Sequence, residues 1–337
     1  MIHVTQGDER GIGLEVFLMA FIRLSSSEQK KIKLWCSKKD LLSLLELSCY
    51  EYEVQGENLF FSLPSTEKNQ LLCSFITEEG IFSHTLRSIL DALSVIQLNP
   101  QEHTLLNLPS MKDQFFYEGR HYLGHTEFYR SYFKRELTML FKHQNLMVAL
   151  LTDHWPLAQV SSFFQHKSKE NISFLRHRLQ EAYDFFALRE KKSLEIYLAG
   201  LNPHAGENNL MGNGEEEILT SALSSFAPQS PYPPHKLIGP IGADSMLINF
   251  EKKDDKNEEQ AALFSQLFCY CYHDQALGPF KALSRLEGVQ FTAGLPFTRL
   301  SPDHGTANNL RGTFKASSQG VYQSLLEALY QEASYGT

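Results

Sequence analysis

The chain has 337 residues, 42% of them hydrophobic and 21% charged, enough for one large or two medium domains with a substantial core. Its formal net charge of −8 excludes a general nucleic-acid surface, which needs clustered Lys and Arg. That charge still leaves room for a small phosphorylated substrate held by two or three local cations. The five cysteines (Cys36, Cys49, Cys73, Cys269, Cys271) form no CxxC pair. There is no charged leader and no apolar stretch of about 18 residues, so free thiols, a cytoplasmic setting and no membrane span are expected.

Apolar runs alternate with helical spacing along the chain. Residues 2–5 predict a short strand, then a Gly-rich turn (Gly7-Asp8-Glu9-Arg10-Gly11-Ile12-Gly13) and a helix over about 12–24. Such a turn can offer backbone N–H groups to an anion, but its spacing is not G-x-G-x-x-G, and a tight structural turn is the simpler reading. A strand is expected at 31–36 and a helix at 41–47; residues 50–110 are less regular, with strands at 57–63 and 71–76 and helical spacing at 80–93. Gly124-His125-Thr126-Glu127 reads as a helix start whose polar side chains are either caps or ligand contacts.

From residue 146 the alternation sharpens. The run 146–151 leads to Thr152-Asp153-His154, the run 194–201 to Asn202-Pro203-His204, and the run 267–272 directly to His273. Short apolar runs bounded by turn residues predict buried strands of a parallel sheet, and open α/β sheets bind ligands at the carboxyl ends of their strands. Three imidazoles there suit a divalent metal with positions left open for substrate; three unrelated polar strand ends are the alternative. Helices are expected at 169–189, from about 214, where Glu215–Glu217 suit the positive helix end, and at 318–332. The charged run 251–260 predicts a solvated loop or helix start, and 289–292 a further strand. Lys281 and Arg299 flank that strand, and Ser301-Pro302-Asp303-His304-Gly305-Thr306-Ala307 forms a dense polar turn beyond it. The expected class is α/β with a largely parallel sheet and no internal repeat.

In order, the segments GDERGIGLE (7–15), GHTE (124–127), TDHWPL (152–157), GLNPHAGE (200–207), GPIGAD (239–244), YHDQ (272–275) and GLPFTRLSPDHGTA (294–307) resemble the 4-hydroxythreonine-4-phosphate dehydrogenase family of pyridoxal phosphate biosynthesis. The resemblance spans nearly the whole chain; residues 30–110 add little to it. It implies an isocitrate/isopropylmalate-dehydrogenase-like fold of two α/β domains with an active-site cleft between them. One domain would comprise 1–128 and 300–337 with the cofactor loop, the other 129–299 with the metal ligands and dimer interface. It implies a homodimer with shared active sites, a divalent metal (zinc, cobalt or magnesium) on His154, His204 and His273, and Asp244 and Asp274 as outer partners. Substrate contacts fall on His125, Thr126, Lys281, Gln290 and Arg299, with Lys281 as the catalytic proton donor. NAD or NADP is expected on Asp8, Gly11, His304, Gly305, Thr306 and Asn309.

The implied reaction is metal-dependent oxidation and decarboxylation of 4-phosphooxy-L-threonine to 3-amino-2-oxopropyl phosphate. Several positions depart from the family pattern. Glu9, Arg10 and Leu14 replace Pro, Ala and Pro; Gln290 replaces an Asn; and Asn309-Leu310-Arg311-Gly312-Thr313-Phe314 replaces D-I-A-G-K-G. These changes keep three alternatives open. They are a dehydrogenase of threonate or erythronate 4-phosphate, a three-His metal hydrolase or lyase without nicotinamide, and a non-catalytic relative that only binds metal.

Overall fold

The computed structural model describes residues 1–77, 80–251 and 265–335, which form two units: residues 1–136 with 286–337, and residues 137–285. The first unit opens with β1 (Ile2–Thr5), α1 (Gly13–Phe21), α2 (Ser26–Gln29), β2 (Ile32–Cys36) and α3 (Lys38–Leu45). It continues through β3 (Glu51–Gln55), β4 (Asn58–Ser62), β5 (Asn69–Phe75), α4 (His84–Ile96), β6 (Thr104–Asn107), β7 (Phe116–Tyr117), β8 (Arg120–His121) and α5 (His125–Phe133). The second unit holds β9 (Thr138–His143), β10 (Leu146–Leu150), α6 (Leu157–Gln165), α7 (Lys169–Glu190), β11 (Leu194–Ala199) and α8 (Glu215–Ser224). It ends with β12 (Lys236–Ile241), α9 (Ile248–Glu251), β13 (Ser265–Tyr270) and α10 (His273–Ser284). The chain then returns to the first unit for β14 (Val289–Ala293), β15 (Thr298–Pro302) and α11 (Gln319–Tyr335).

In the first unit the strands run in the order β14-β15-β6-β1-β2-β5-β4-β3. The stretch from β15 to β5 is parallel, with Ile2 opposite both Ile32 and Thr104, and an antiparallel partner closes each side. In the second unit the order is β12-β11-β13-β10-β9, parallel except for the β9–β10 hairpin. Strands β10, β11 and β13 are buried at every position, which is why they read as unbroken apolar runs and not as alternating ones. Val148, Phe268 and Tyr270 fill one face of this sheet and pack with Phe280 of α10.

Helix starts follow their caps. Ser83 accepts from Leu86 N at 3.1 Å, so α4 begins at His84, three or four residues later than its apolar spacing predicts. Ser168 likewise caps α7 through Asn171 N at 3.1 Å, and three glutamates open α8 as expected. The charged run at 251–260 lies outside the described residues beyond Glu251, the last residue of α9. All five cysteines are free thiols, and no described helix is long and apolar enough to cross a membrane.

Candidate active site

In the second unit, the ends of β10 and β13 are stitched together by Thr152, whose backbone N–H and hydroxyl both donate to the Cys271 carbonyl at 3.1 and 2.7 Å. Gln275 ties β13 to β11: its side-chain oxygen accepts from Cys271 N at 2.9 Å and its amide donates to the Gly200 carbonyl at 2.9 Å. This stitching brings the His154 and His273 rings to 5.5 Å between centroids. His273 Nδ1 lies 2.7 Å from Asp274 Oδ1, so Nε2 is the nitrogen left for a metal. Two imidazoles on one tetrahedral ion, each about 2 Å from it, place their centroids about 5 Å apart, so this pair fits a shared ion.

His204 sits in the turn after β11. Residues 204–209 all have positive φ (51, 50, 74, 41, 58 and 65°), a left-handed turn in which five of the six residues are not glycine. Each such residue costs roughly 1–2 kcal/mol and persists only where its surroundings hold it. Here the buried Glu216 accepts from Asn202 N at 3.0 Å, and a Cβ on Gly206 would lie 2.8 Å from the same carboxylate. Asp244 flanks the turn through Gly242, whose added Cβ would touch both Asp244 and His204. Among the described residues, no three His, Cys, Asp or Glu side chains of one chain lie close enough together to hold a metal. Among the described residues His154 and His273 stand together, and His204 is on a separate left-handed turn.

The second constellation lies in the first unit, around Arg299 on β15. This side chain is 1% exposed, yet every oxygen bonded to it is neutral. Nε donates to Asn107 Oδ1 at 2.7 Å, and Nη1 donates to Gln290 Oε1 at 2.6 Å and Thr292 Oγ1 at 3.2 Å. The Tyr129 ring lies 5.7 Å from the guanidinium carbon, and its hydroxyl donates to Asn107 Oδ1 at 3.0 Å. Burial pushes the guanidinium down to about 10 and the Tyr129 phenol up to about 12, so the first stays charged and the second neutral at physiological pH.

His125 and Thr126 are the first two residues of α5, whose N-cap, Gly124, supplies no side-chain acceptor. His125 packs edge-on against Phe115 at 4.8 Å and stacks 6.4 Å from Tyr129, with Nε2 3.4 Å from Ser110 Oγ. Burial and then the Arg299 charge hold its pKa well below 6.5, so the ring is neutral near pH 7. The structure thus joins His125, Gln290 and Arg299 in one unit. Lys281 is an exposed residue in the last turn of α10, in the other unit.

A third cluster unites the Gly-rich turn with the 304–309 loop. Ile12 N donates to the Thr306 carbonyl at 2.9 Å, and Gly11 packs so closely that an added Cβ would lie 2.9 Å from that oxygen. His304 Nδ1 is 3.0 Å from the Gly305 carbonyl, Gly305 has open space beside it, and Asn309 is exposed in a short 3-10 turn. Asp8 is already engaged. Arg10 grips its buried carboxylate with a two-nitrogen fork at 2.9 and 2.8 Å and reaches Asp113 at 2.8 Å. The divergent 309–314 segment is pinned from behind, with Gly312 N donating to the buried Glu15 at 2.6 Å and Phe314 packed on Tyr50 at 5.9 Å. Open space beside Gly305 leaves room for a ligand at this loop, whereas both Asp8 carboxylate oxygens are held by Arg10.

Sequence reasoning missed Asn107, Tyr129 and Thr292. Asn107 ends the apolar run Thr104–Asn107, the same strand-end signal that picks out the histidines, but the irregularity of 50–110 hides it.

The family described as "Pyridoxal phosphate biosynthetic protein PdxA" matches residues 83–331. The 4-hydroxythreonine-4-phosphate dehydrogenase of Vibrio parahaemolyticus is 33% identical, covering 97% of this chain and 96% of its own. The enzyme of that name from Wigglesworthia glossinidia brevipalpis is 28% identical over 97% of this chain and 95% of its own. The crystal structure of a 4-hydroxythreonine-4-phosphate dehydrogenase from Klebsiella pneumoniae superposes with a TM-score of 0.71 at 23% identity, covering 98% of this chain and 99% of that one. A terephthalate 1,2-cis-dihydrodiol dehydrogenase from Burkholderia xenovorans shares the fold more distantly, with a TM-score of 0.56 at 18% identity over 98% and 97% of the two chains.

Proposed function

The chain belongs to the pyridoxal phosphate biosynthetic PdxA family and is an oxidoreductase, and from that premise we propose that it oxidises 4-phosphooxy-L-threonine with NAD or NADP and a divalent metal, releasing carbon dioxide and 3-amino-2-oxopropyl phosphate. The observation that carries this reading is Arg299, a buried cation without a carboxylate partner among the described residues. A buried charge held only by neutral groups is stabilised when a bound anion completes the pair. The substrate, with a phosphate and a carboxylate, supplies such an anion.

The residues divide the work as follows. Arg299 binds the anionic group, while His125 and Thr126, at the open N-terminus of α5, orient the substrate. The neutral His125 ring can give or accept a hydrogen bond there without adding charge. His154 and His273, whose rings face each other, would hold the metal, and His204 of a second copy of the chain would complete the set across a homodimer. When bound, the ion would supply Lewis acidity for the substrate hydroxyl and the dinucleotide would be the hydride acceptor. His304, Gly305, Thr306 and Asn309, with Gly11 packed against Thr306, would hold that dinucleotide, and Asp8 fixes the Gly-rich turn through Arg10. Lys281 Nζ delivers a proton to the carbon that loses carbon dioxide. We assign the fold to the isocitrate-dehydrogenase-like class on the same premise.

A second reading, oxidation of threonate or erythronate 4-phosphate, is favoured by one observation: Gln290 stands where the family carries an Asn and turns inward onto Arg299. Purified protein given a divalent metal, NAD and 4-phosphooxy-L-threonine should form NADH, and the other two acids form the comparison panel. Absence of turnover on all three, with either dinucleotide, would overturn the dehydrogenase assignment.

A further inference from the structure

Gln290 has no hydrogen-bonding capacity left for a ligand. Its carbonyl oxygen accepts twice, from Arg299 Nη1 at 2.6 Å and from Ser301 Oγ at 2.8 Å, which uses both lone pairs. Its amide donates to the Phe291 carbonyl at 3.2 Å and to Thr292 Oγ1 at 3.3 Å, which uses both hydrogens. The residue is 8% exposed. The antiparallel register explains the closure: Gln290 lies opposite Ser301 and Thr292 opposite Arg299, so all four side chains share one face of the β14–β15 hairpin.

The guanidinium is equally constrained. Nε is committed to Asn107 and both Nη1 hydrogens to Gln290 and Thr292. Beyond these, the guanidinium meets only the Tyr129 hydroxyl among the described residues. Asn107 is itself fixed, because its amide donates to Thr5 Oγ1 at 2.8 Å. Nη2 is the nitrogen whose hydrogens remain to meet a ligand. An Asn in place of Gln290 is one methylene, about 1.5 Å, too short to reach Nη1 from the same backbone.

We propose that Gln290 is a positioning residue that acts through Arg299: with Asn107 and Thr292 it orients the guanidinium by neutral oxygens alone, keeping its charge uncompensated and offering a single nitrogen edge to one phosphate or carboxylate of the substrate. The neutrality of the cage is the physical point. A carboxylate in any of these positions would hold the guanidinium as firmly but cancel the field that attracts the anion. The proposal rests on the reading that this unit binds a phosphorylated acid, and it adds which residue sets the binding geometry.

Two substitutions in the full-length protein test it. Gln290→Glu keeps the length of the side chain and adds the cancelling charge; KM for 4-phosphooxy-L-threonine should rise about 100-fold with kcat nearly unchanged, the pattern of lost uniform binding. Gln290→Asn keeps neutrality but loses the reach, and KM should rise about 10-fold. A readout independent of turnover is hydrogen exchange at Arg299 Nε–H followed by NMR. It should be slow in the wild type, at least about 10-fold faster in Gln290→Asn, and further slowed by inorganic phosphate in the wild type but not in Gln290→Glu. Unchanged exchange in Gln290→Asn, or equal phosphate protection in wild type and Gln290→Glu, would overturn the proposal. A fall in kcat with KM constant would also overturn it, since that pattern marks a direct role in the reacting complex. If no substrate is turned over, the dehydrogenase reading fails, and the exchange and phosphate measurements still decide the role of Gln290.

Discussion

The two polar constellations at the strand edges are built in opposite ways. The cage around Arg299 is complete within one chain, anchored on β6, β14 and β15 and closed by α5, with each partner at 8% exposure or less. The histidine set is a pair, His154 and His273, mounted on the segments just beyond β10 and β13, with His204 carried by a strained turn elsewhere in the same unit. Side chains projecting from strands are fixed by the ladder beneath them. Those on the loops beyond are fixed only by what grips the loop. On the proposed function, this contrast makes anion binding the task of the single chain and metal binding the task of two copies together.

The largest effect expected from this contrast is complementation between inactive variants. His273→Ala and His204→Ala should each lose metal affinity by more than the roughly 100-fold that removal of an outer-shell partner costs, and each should be inactive alone. Unfolding and refolding the two variants together should restore up to about one quarter of wild-type activity, because a mixed dimer rebuilds one intact site in a statistical half of the molecules. Activity that stays at zero in the mixture, with dimers confirmed by light scattering, would break the comparison by placing all three ligands in one chain.

Next in size is Arg299→Lys. The ammonium keeps the charge but cannot reach Asn107, Gln290 and Thr292 together, so KM should rise about 100-fold while bound metal stays at the wild-type level. Loss of metal in this variant would show that the two constellations are not independent.

The smallest effect concerns pH. The folded-state pKa of His125 is depressed below 6.5, so below that value the unfolded chain binds a proton that the folded chain does not. The resulting stability is fully present above pH 6.5 and is lost as pH falls towards the folded pKa. The melting temperature should therefore drop between about pH 7.5 and about pH 5, and drop less in His125→Gln. Equal slopes would remove His125 from the desolvated wall of the cage.

How much of this was legible in the sequence follows from the same contrast. The strands β10, β11 and β13 announce themselves because both faces are buried, and their histidines stand out as polar residues just past an apolar run. Strand β12 is hidden because it is half exposed and contains Gly239-Pro240, which argues against a strand interior. Strand β3 is hidden by its exposed, charged residues, and β9 because it returns directly into β10 with no helix between them. The cage left almost no local trace. Its members, at positions 107, 129, 290, 292 and 299, meet only through sheet order and register, which no periodicity within a window of residues records. Arg299 stands out as a cation flanking the last strand and Gln290 comes only through the family resemblance, while their mutual contact leaves no trace in the sequence.

The fork that Arg10 places on Asp8 has a consequence for ligand entry. A buried carboxylate beside the 304–306 loop would repel a pyrophosphate, and this chain already carries a net charge of −8. Arg10 cancels that charge at its source, while its second partner, Asp113, is half exposed and screened by salt. Lowering the ionic strength should re-expose the Asp113 charge and slow dinucleotide capture, the reverse of the salt response of a basic cofactor pocket.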